Sequence, residues 1–433
     1  MHVLLLPVGS AGDVYPYVRL GAELRKRGHH ITLAANEIFQ PLAETEGFGF
    51  VMLGTREEYE RIVADPALWD KRRGGLAFAR QIILPFMQRQ FETIEMCMGR
   101  GECDVVVAAG QAIGARIAQE KLEVPLATVH LSPYFFRSAY RNRRVPGLMI
   151  PDILPPSWKR AMFRAFDFAG DWAFGGEVNE FRGELGLPQA NAIFWDWWNS
   201  PQLILAMFPT WFAEPQPDWP AQTRHTGFPL FDPSTQGMLS TEVTAFLEAG
   251  ERPIIFTPGT AMSHGREFFA TSLEAVKSLG CRAMFVSQFS DQIATTLPES
   301  MLVCRYAPFG QLLPRAAAIV HHGGIGTISQ ATAAGIPQLV RPMGFDQAEN
   351  ASRLEELGIG ATLSPRNYNV RKLIPTLRRL LHSPEVRDGC RVVANYFPRA
   401  ADLDSACVEI EELGKRSETK DISQDKKTTV IAS

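Results

Sequence analysis

The sequence predicts an α/β protein built from two doubly wound units in tandem. Three observations carry that prediction. Short apolar runs of strand length alternate with stretches of helical spacing, first over roughly the first 133 residues and again from about residue 250. The runs are apolar at nearly every position, as strands covered by helices on both faces require. A Pro-rich stretch, "FPTWFAEPQPDWPAQTRHTGFPLFDP", separates the two series. At 433 residues the chain has room for two ordinary domains.

Taken in order, "VLLL" reads as a first buried strand and "PVGSAGDVYP" as a loop. "YVRLGAELRKRG" reads as a helix with Val18, Leu20, Gly21 and Leu24 at helical spacing and Gly28 as its stop. "HITLAAN" is the next strand. The unit recurs as "DVVVAAG", the helix "QAIGARIAQEKL" and the strand "PLATVHLSP". The second series runs "RPIIFTPGT", the helix "REFFATSLEAVKSLG", the strands "RAMFVS" and "MLVCRYAP", then "AAAIVHHGG" and the helix "GTISQATAAG". The strand "PQLVRP" and the helix "QAENASRLEELG" follow. The expected organisation is an N-terminal domain over 1–215, a linker over 216–235 and a C-terminal domain over 236–395. A helix over 396–413 is expected to pack back on the first domain, and the polar stretch 414–433 is expected to be disordered.

Hydrophobic residues make up 45%, charged residues 21%, and the net charge is −3, a soluble globular balance that excludes nucleic acid as the main partner. No run is long enough to cross a bilayer. The opening "MHVLLLPVGSAGD" lacks the basic start and full apolar core of a signal peptide, so a cytoplasmic location is expected. The six cysteines, Cys97, Cys103, Cys281, Cys304, Cys390 and Cys407, are scattered, which fits reduced thiols and not a metal site. All eight tryptophans precede residue 220. That enrichment reads as extra helices on the first domain, and also as a greasy acceptor pocket or a surface that touches lipid.

The chemistry is concentrated in "HHGGIGT", His321 to Thr327, after the apolar run "AAAIV". Glycines between a strand end and a helix start place backbone N–H groups and the positive end of the helix dipole where an anion can reach them. Gly323, Gly324 and Gly326 admit a phosphate without a Cβ clash, while Thr327 and His322 can donate to its oxygens. A P-loop GxxxxGK[ST] and a dinucleotide GxGxxG are both absent. Asp402-Leu403-Asp404 has the form of a metal-binding Asp-x-Asp but sits at the head of a helix, where capping explains it. Asp346 and Gln347, in "GFDQAEN", lie between a strand and a helix and could grip adjacent sugar hydroxyls. Tyr306 and Ala307, in "RYAPFGQLLP", could hold a nucleobase. Thr257, Gly259 and Thr260, in "TPGT", could add donors to the phosphates.

The stretch "RYAPFGQLLPRAAAIVHHGGIGTISQATAAGIPQLVRPMGFDQAEN" resembles the donor-site signature of family 1 nucleotide-sugar glycosyltransferases of the GT-B fold, two Rossmann-like domains facing across a cleft. The resemblance covers the chain to about residue 412. Within the family it is strongest to the rhamnosyltransferase of rhamnolipid synthesis, through "GSAGDVYP", "DPALWD", "GARIAQEK" and "FPTWFAEPQPDWP…TGFPLFD". It implies that Tyr306 and Ala307 hold the base, that His322, Gly324, Gly326 and Thr327 hold the diphosphate, and that Asp346 and Gln347 hold the sugar. Gln330 stands where relatives that use uridine donors carry a ribose-binding glutamate, which favours a thymidine diphosphate sugar over a uridine one. The implied co-substrate is a dTDP or UDP sugar, with no separate cofactor and no metal. The implied acceptor is a hydroxylated lipid-like molecule, with peripheral contact to the inner membrane and a partner enzyme that supplies the acceptor.

The resemblance also points to Asp13, in "GSAGDVYP", as the base that takes the acceptor's proton. Without it, Asp13 reads as a helix cap. Plant-type relatives pair a histidine with an aspartate, and the aspartate's position is Gly110 here, so no such dyad is expected. Gly12 and His130 are candidate acceptor contacts, His130 reading also as a satisfied buried histidine. Two rival readings remain: a sugar-nucleotide epimerase, which needs no greasy pocket, and a non-catalytic helper subunit, which needs no phosphate loop.

Overall fold

The computed structural model describes residues 1–416 apart from 71–72, 143–150, 152, 234–237, 261, 295 and 398–402. Its first sheet contains β1 (His2–Leu6), β2 (His30–Asn36), β3 (Gly49–Gly54), β4 (Val105–Ala109), β5 (Leu126–His130), β6 (Leu203–Ala206) and β7 (Thr223–His225). They lie in the order β3-β2-β1-β4-β5-β6-β7, every pair parallel. The second sheet contains β8 (Ile254–Thr257), β9 (Ala283–Val286), β10 (Met301–Cys304), β11 (Ala318–His321), β12 (Gln338–Val340) and β13 (Gly360–Thr362). Its order is β10-β9-β8-β11-β12-β13, again all parallel. The α/β expectation is met, because the central strands, "VVVAA", "LATVH", "IIFT" and "AIVH", are buried at every position and must be roofed on both faces by helices.

Four strands go beyond the expectation. β3 "GFVMLG" and β7 "TRH" are edge strands with partly exposed residues, and β13 "GAT" carries no apolar signal. β6 "LILA" is buried but lies against the approach to the linker. β7 falls inside the segment expected to be linker, and it closes one edge of the first sheet. A helix of 29 residues, Pro156–Glu184, packs over the first domain and leaves Trp158, Phe168 and Trp172 exposed at 67%, 75% and 84%.

The last described helix, residues 403–416, runs three residues past its expected end. Ala406, Cys407, Ile410 and Leu413 join the core of the first domain beside Val3, Val18 and Val105. Arg27 pairs with Asp404 at 3.0 Å and with Glu411 at 3.3 Å, and Arg224 with Glu409 at 3.2 Å. Asp402 and residues 417–433 lie outside the described residues. All six cysteines are free thiols.

Candidate active site

Strand order reverses between β1 and β4 in one sheet and between β8 and β11 in the other. Loops that leave such switch points flank a crevice. The two crevices meet in one cavity of about 570 Å³, lined from one domain by Gly9–Tyr17 and from the other by Thr257–Thr260, Tyr306, Ala307, His322, Gly324–Thr327 and Phe345–Gln347. The loops come close: a Cβ on Gly326 would lie 3.9 Å from the Gly12 carbonyl.

The two histidines of "HHGG" part company. His321 is fully buried, and burial first, then its neighbour His322, pushes its pKa down to about 3. Its Nε2 donates to Gln338 Oε1 at 3.1 Å, and its Nδ1 accepts the Gly323 amide at 3.1 Å, so it fastens the loop from behind. His322 faces the cavity, and burial pushes its pKa down to about 4, so the ring is neutral. Its Nδ1 is buried with no partner among the described residues. The ring is wedged between two glycines: a Cβ on Gly259 would lie 2.6 Å from its Cε1, and one on Gly324 2.5 Å from its Nε2. Gly259 also has φ +96°, a conformation side chains resist. Gly324 is the N-cap of the helix Ile325–Ala333 and offers no side-chain cap, so the first amides, Gly326 and Thr327 among them, are left for a ligand. Thr257 Oγ1 accepts the Gly259 amide at 3.3 Å and shapes that turn, while Thr260 is exposed on the cavity rim. Tyr306 is half-buried and Ala307 buried beside it, and Gln330 follows one turn into the helix.

On the other side of this loop, Asp346 occupies the N-cap position of the helix Gln347–Glu356 without a side-chain bond to its first amides, and accepts instead from Asn350 Nδ2 at 2.7 Å. Burial raises its pKa, against the opposing pull of Asn350 and Ser132. Ser132 belongs to the first domain, and its Oγ donates to Asn350 Oδ1 at 2.8 Å. Gln347 is less available than its sequence position suggests. Its Oε1 accepts the Met343 and Gly344 amides at 2.7 and 3.1 Å, which leaves only its Nε2 for a ligand. Phe345, immediately before Asp346, holds a strained backbone at φ +53° and sets its ring against Trp69 and Phe78 of the first domain.

The expected loop "PVGSAGDVYP" is corrected: the helix Ala11–Lys26 begins within it, with Ser10 as its N-cap and Pro16 inside it, so Asp13 is not the N-cap but the third helical residue, reaching back to the Ser10 amide. Its Oδ2 accepts the Ser10 amide at 2.8 Å and the Ser10 hydroxyl at 3.1 Å. Its Oδ1 has no protein partner among the described residues and is left to the cavity. Burial raises its pKa to about 6, with the Asp346 carboxylate adding to the rise and the Ser10 bonds opposing it. Gly9, at φ +132°, is the only residue that fits above it, since a Cβ there would lie 2.3 Å from Asp13 Oδ2.

Residues 3–141 match the glycosyltransferase family 28 N-terminal domain, and residues 283–405 match the erythromycin biosynthesis protein CIII-like C-terminal domain. Glycosyltransferase GtfC of Amycolatopsis orientalis is 30% identical over 381 residues, 84% of this chain and 86% of that one. The chain belongs to the family 1 GT-B glycosyltransferases. O-mycaminosyltylonolide 6-deoxyallosyltransferase of Streptomyces fradiae is 29% identical over 431 residues, 95% of this chain and 97% of that one. Among solved structures, glycosyltransferase VinC in complex with dTDP shares the fold with a TM-score of 0.66 and 20% identity, over 96% of this chain and 100% of that one.

The remaining wall of this glycosyltransferase's cavity is aromatic: Trp69, Phe78, Phe174, Phe194, Trp195 and Trp198 line it. The tryptophan-rich segment therefore supplies both packing and pocket. His130 takes the second of its two readings, a buried histidine and not an acceptor contact, although its Nδ1 has no partner among the described residues. It is 1% exposed and outside the cavity wall, its Nε2 is bonded to Asn199 Oδ1 at 2.7 Å and its ring is stacked on Phe135. Burial pushes its pKa down to about 4. Gly110 borders that ring, where a Cβ would meet Cε1 at 2.5 Å, so the position of the plant-type aspartate is filled by the histidine. Gly12 does line the cavity. Sequence reasoning missed Gly9, Ser132, Phe345 and Asn350. Of these only Asn350 left a signal, four residues after Asp346 and so on the same helix face.

Proposed function

We propose that the enzyme transfers a sugar from a thymidine diphosphate donor, in its most specific form dTDP-L-rhamnose, to the hydroxyl of a lipid-like acceptor such as a 3-hydroxy fatty acid or its ester. One observation carries this reading: a carboxylate held at a pKa of about 6 opens into the same cavity as the uncapped start of the helix Ile325–Ala333, beside an aromatic wall. Asp13 takes the acceptor proton as the acceptor oxygen attacks the anomeric carbon from the face opposite the diphosphate. The bond from that carbon to the diphosphate oxygen breaks, its electron pair leaves with the diphosphate, and the configuration inverts. The helix-start amides, Thr327 and His322 stabilise the departing anion, and no metal ion is needed. Thr257, Gly259 and Thr260 shape the phosphate side, Tyr306 and Ala307 hold the base, and Asp346 with the Gln347 Nε2 holds the sugar.

The name of the Streptomyces fradiae relative specifies a 6-deoxy sugar, and VinC was crystallised with dTDP; both support a thymidine donor carrying a deoxyhexose. The aromatic wall supports an apolar acceptor and disfavours an epimerase, while the phosphate loop disfavours a helper role. Transfer of glucose from a UDP or dTDP donor to another hydrophobic small molecule is the alternative, and the same cavity would serve it. No helix among the described residues is long and apolar enough to cross a membrane. The exposed Trp158, Phe168 and Trp172 support a peripheral contact with the inner membrane, where a partner enzyme would deliver the acceptor. A thermal-shift panel of nucleotide sugars tests the donor, with the largest shift expected for dTDP-L-rhamnose. With that donor, turnover of 3-hydroxy fatty acids should rise with chain length until the aromatic wall is covered. A turnover independent of chain length would remove the lipid-like acceptor.

A further inference from the structure

The linker carries a carboxylate for which the roles above give no reason. Asp232, in "FPLFDP", lies half-buried in the cavity wall. Its Oδ2 accepts the Gly310 amide at 2.7 Å, and its Oδ1 accepts from Gln330 Nε2 at 3.1 Å. The same Nε2 donates its other hydrogen to the Phe231 carbonyl at 3.2 Å. Gly310 is confined by this arrangement, because a Cβ there would lie 2.6 Å from Asp232 Oδ2. Linker, the short helix from Phe309 and the helix Ile325–Ala333 are thus joined around one side chain.

The joint fixes polarity. With both Nε2 hydrogens turned to the linker, Gln330 presents its Oε1 to the cavity side as an acceptor. The two Asp232 oxygens can also only accept. These three acceptors line the same cavity as Tyr306 and the helix start proposed to hold an anionic diphosphate: Asp232 is near enough to Tyr306 to add, after burial, to the rise of its pKa, and Gln330 lies in the helix Ile325–Ala333 itself. A carboxylate beside a diphosphate is unfavourable unless a donor group stands between them. In a nucleoside diphosphate, the donors between base and phosphates are the pentose hydroxyls. We infer that Asp232, with the Gln330 amide it orients, binds the 3′-hydroxyl of the donor's pentose, which makes the interdomain linker part of the donor site. The inference rests on the proposed placement of base and diphosphate. It also changes the meaning of glutamine at 330, since the carboxylate that other relatives carry in the helix is supplied here from the linker.

Calorimetric titration of the full chain with thymidine diphosphate, 3′-deoxythymidine diphosphate and uridine diphosphate tests it. A hydrogen bond to a charged group corresponds to about tenfold or more in affinity. The wild type is expected to bind 3′-deoxythymidine diphosphate about tenfold more weakly than thymidine diphosphate. Asp232→Asn and Asp232→Ala are each expected to weaken thymidine diphosphate about tenfold and to bind the 3′-deoxy compound equally well. If the wild type does not distinguish the two, or if the variants lose affinity yet keep the preference, Asp232 only fastens the linker and the inference is wrong. If the wild type binds none of the three diphosphates, the donor site itself has been misread and this inference falls with it.

Discussion

Asp13 holds its proton to about pH 6 because burial outweighs two hydrogen bonds from Ser10, and because Asp346 faces it across the cleft. In its proposed role as base it must be ionised, so kcat/KM should fall about tenfold per pH unit below that value. Asp13→Asn should lower kcat by about 10² to 10⁴, with donor affinity retained. A variant with near-normal kcat would transfer the role elsewhere. The same residue predicts an opposite effect on stability. A carboxyl raised from 3.8 binds its proton more tightly folded than unfolded, so its contribution to stability falls as pH rises from about 4 to about 6. Asp13→Asn should therefore raise Tm at pH 8 and leave it nearly unchanged at pH 4. His322→Ala should weaken nucleoside diphosphate binding about tenfold or more, since it removes a neutral donor aimed at an anion, while the far-ultraviolet circular dichroism stays unchanged. Unaltered binding would contradict the phosphate role.

Loops and strands show where the sequence could be read. The parallel sheets were legible because runs such as "VVVAA" and "IIFT" are apolar throughout, a pattern that allows no exposed face. "TRH" and "GAT" were not, because edge pairing is made by backbone groups that leave no mark on side-chain type. "HHGGIGT" could be read as a candidate anion site, yet the division of labour between its histidines depends on Gln338, seventeen residues on, which only the fold brings near. His130 allowed two readings because it ends a central strand, and the rings of Phe135, Phe136 and Trp198 that enclose it and decide for burial come from outside that strand. The loop after β8 gives a direct test. Gly259→Ala must place a methyl on the His322 ring at a positive φ. It should lower Tm by several degrees and reduce donor affinity together, as measured by thermal denaturation and nucleotide titration. A stable variant with normal affinity would mean that the ring is free to move.

At the scale of the molecule, the loop that carries Asp346 and Gln347 is tied to the first domain. Ser132 bonds to Asn350, which bonds in turn to Asp346 and to the Gly323 carbonyl at 3.1 Å, and Arg141 pairs with Glu356 across the same cleft. Ser132→Ala should lower kcat severalfold and leave nucleoside diphosphate affinity unchanged, because it loosens the tie between the domains and not the proposed phosphate cradle. Equal loss in both would show that the tie serves the donor loop itself. The helix over 403–416 has another bearing, on how the protein is made. Synthesis releases the N-terminal half first, but the seam beside Val3, Val18 and Val105 is roofed by Ala406, Cys407, Ile410 and Leu413. A nascent chain must keep that greasy seam uncovered while the ribosome completes some two hundred further residues, so the earliest-made lobe is the last to be finished.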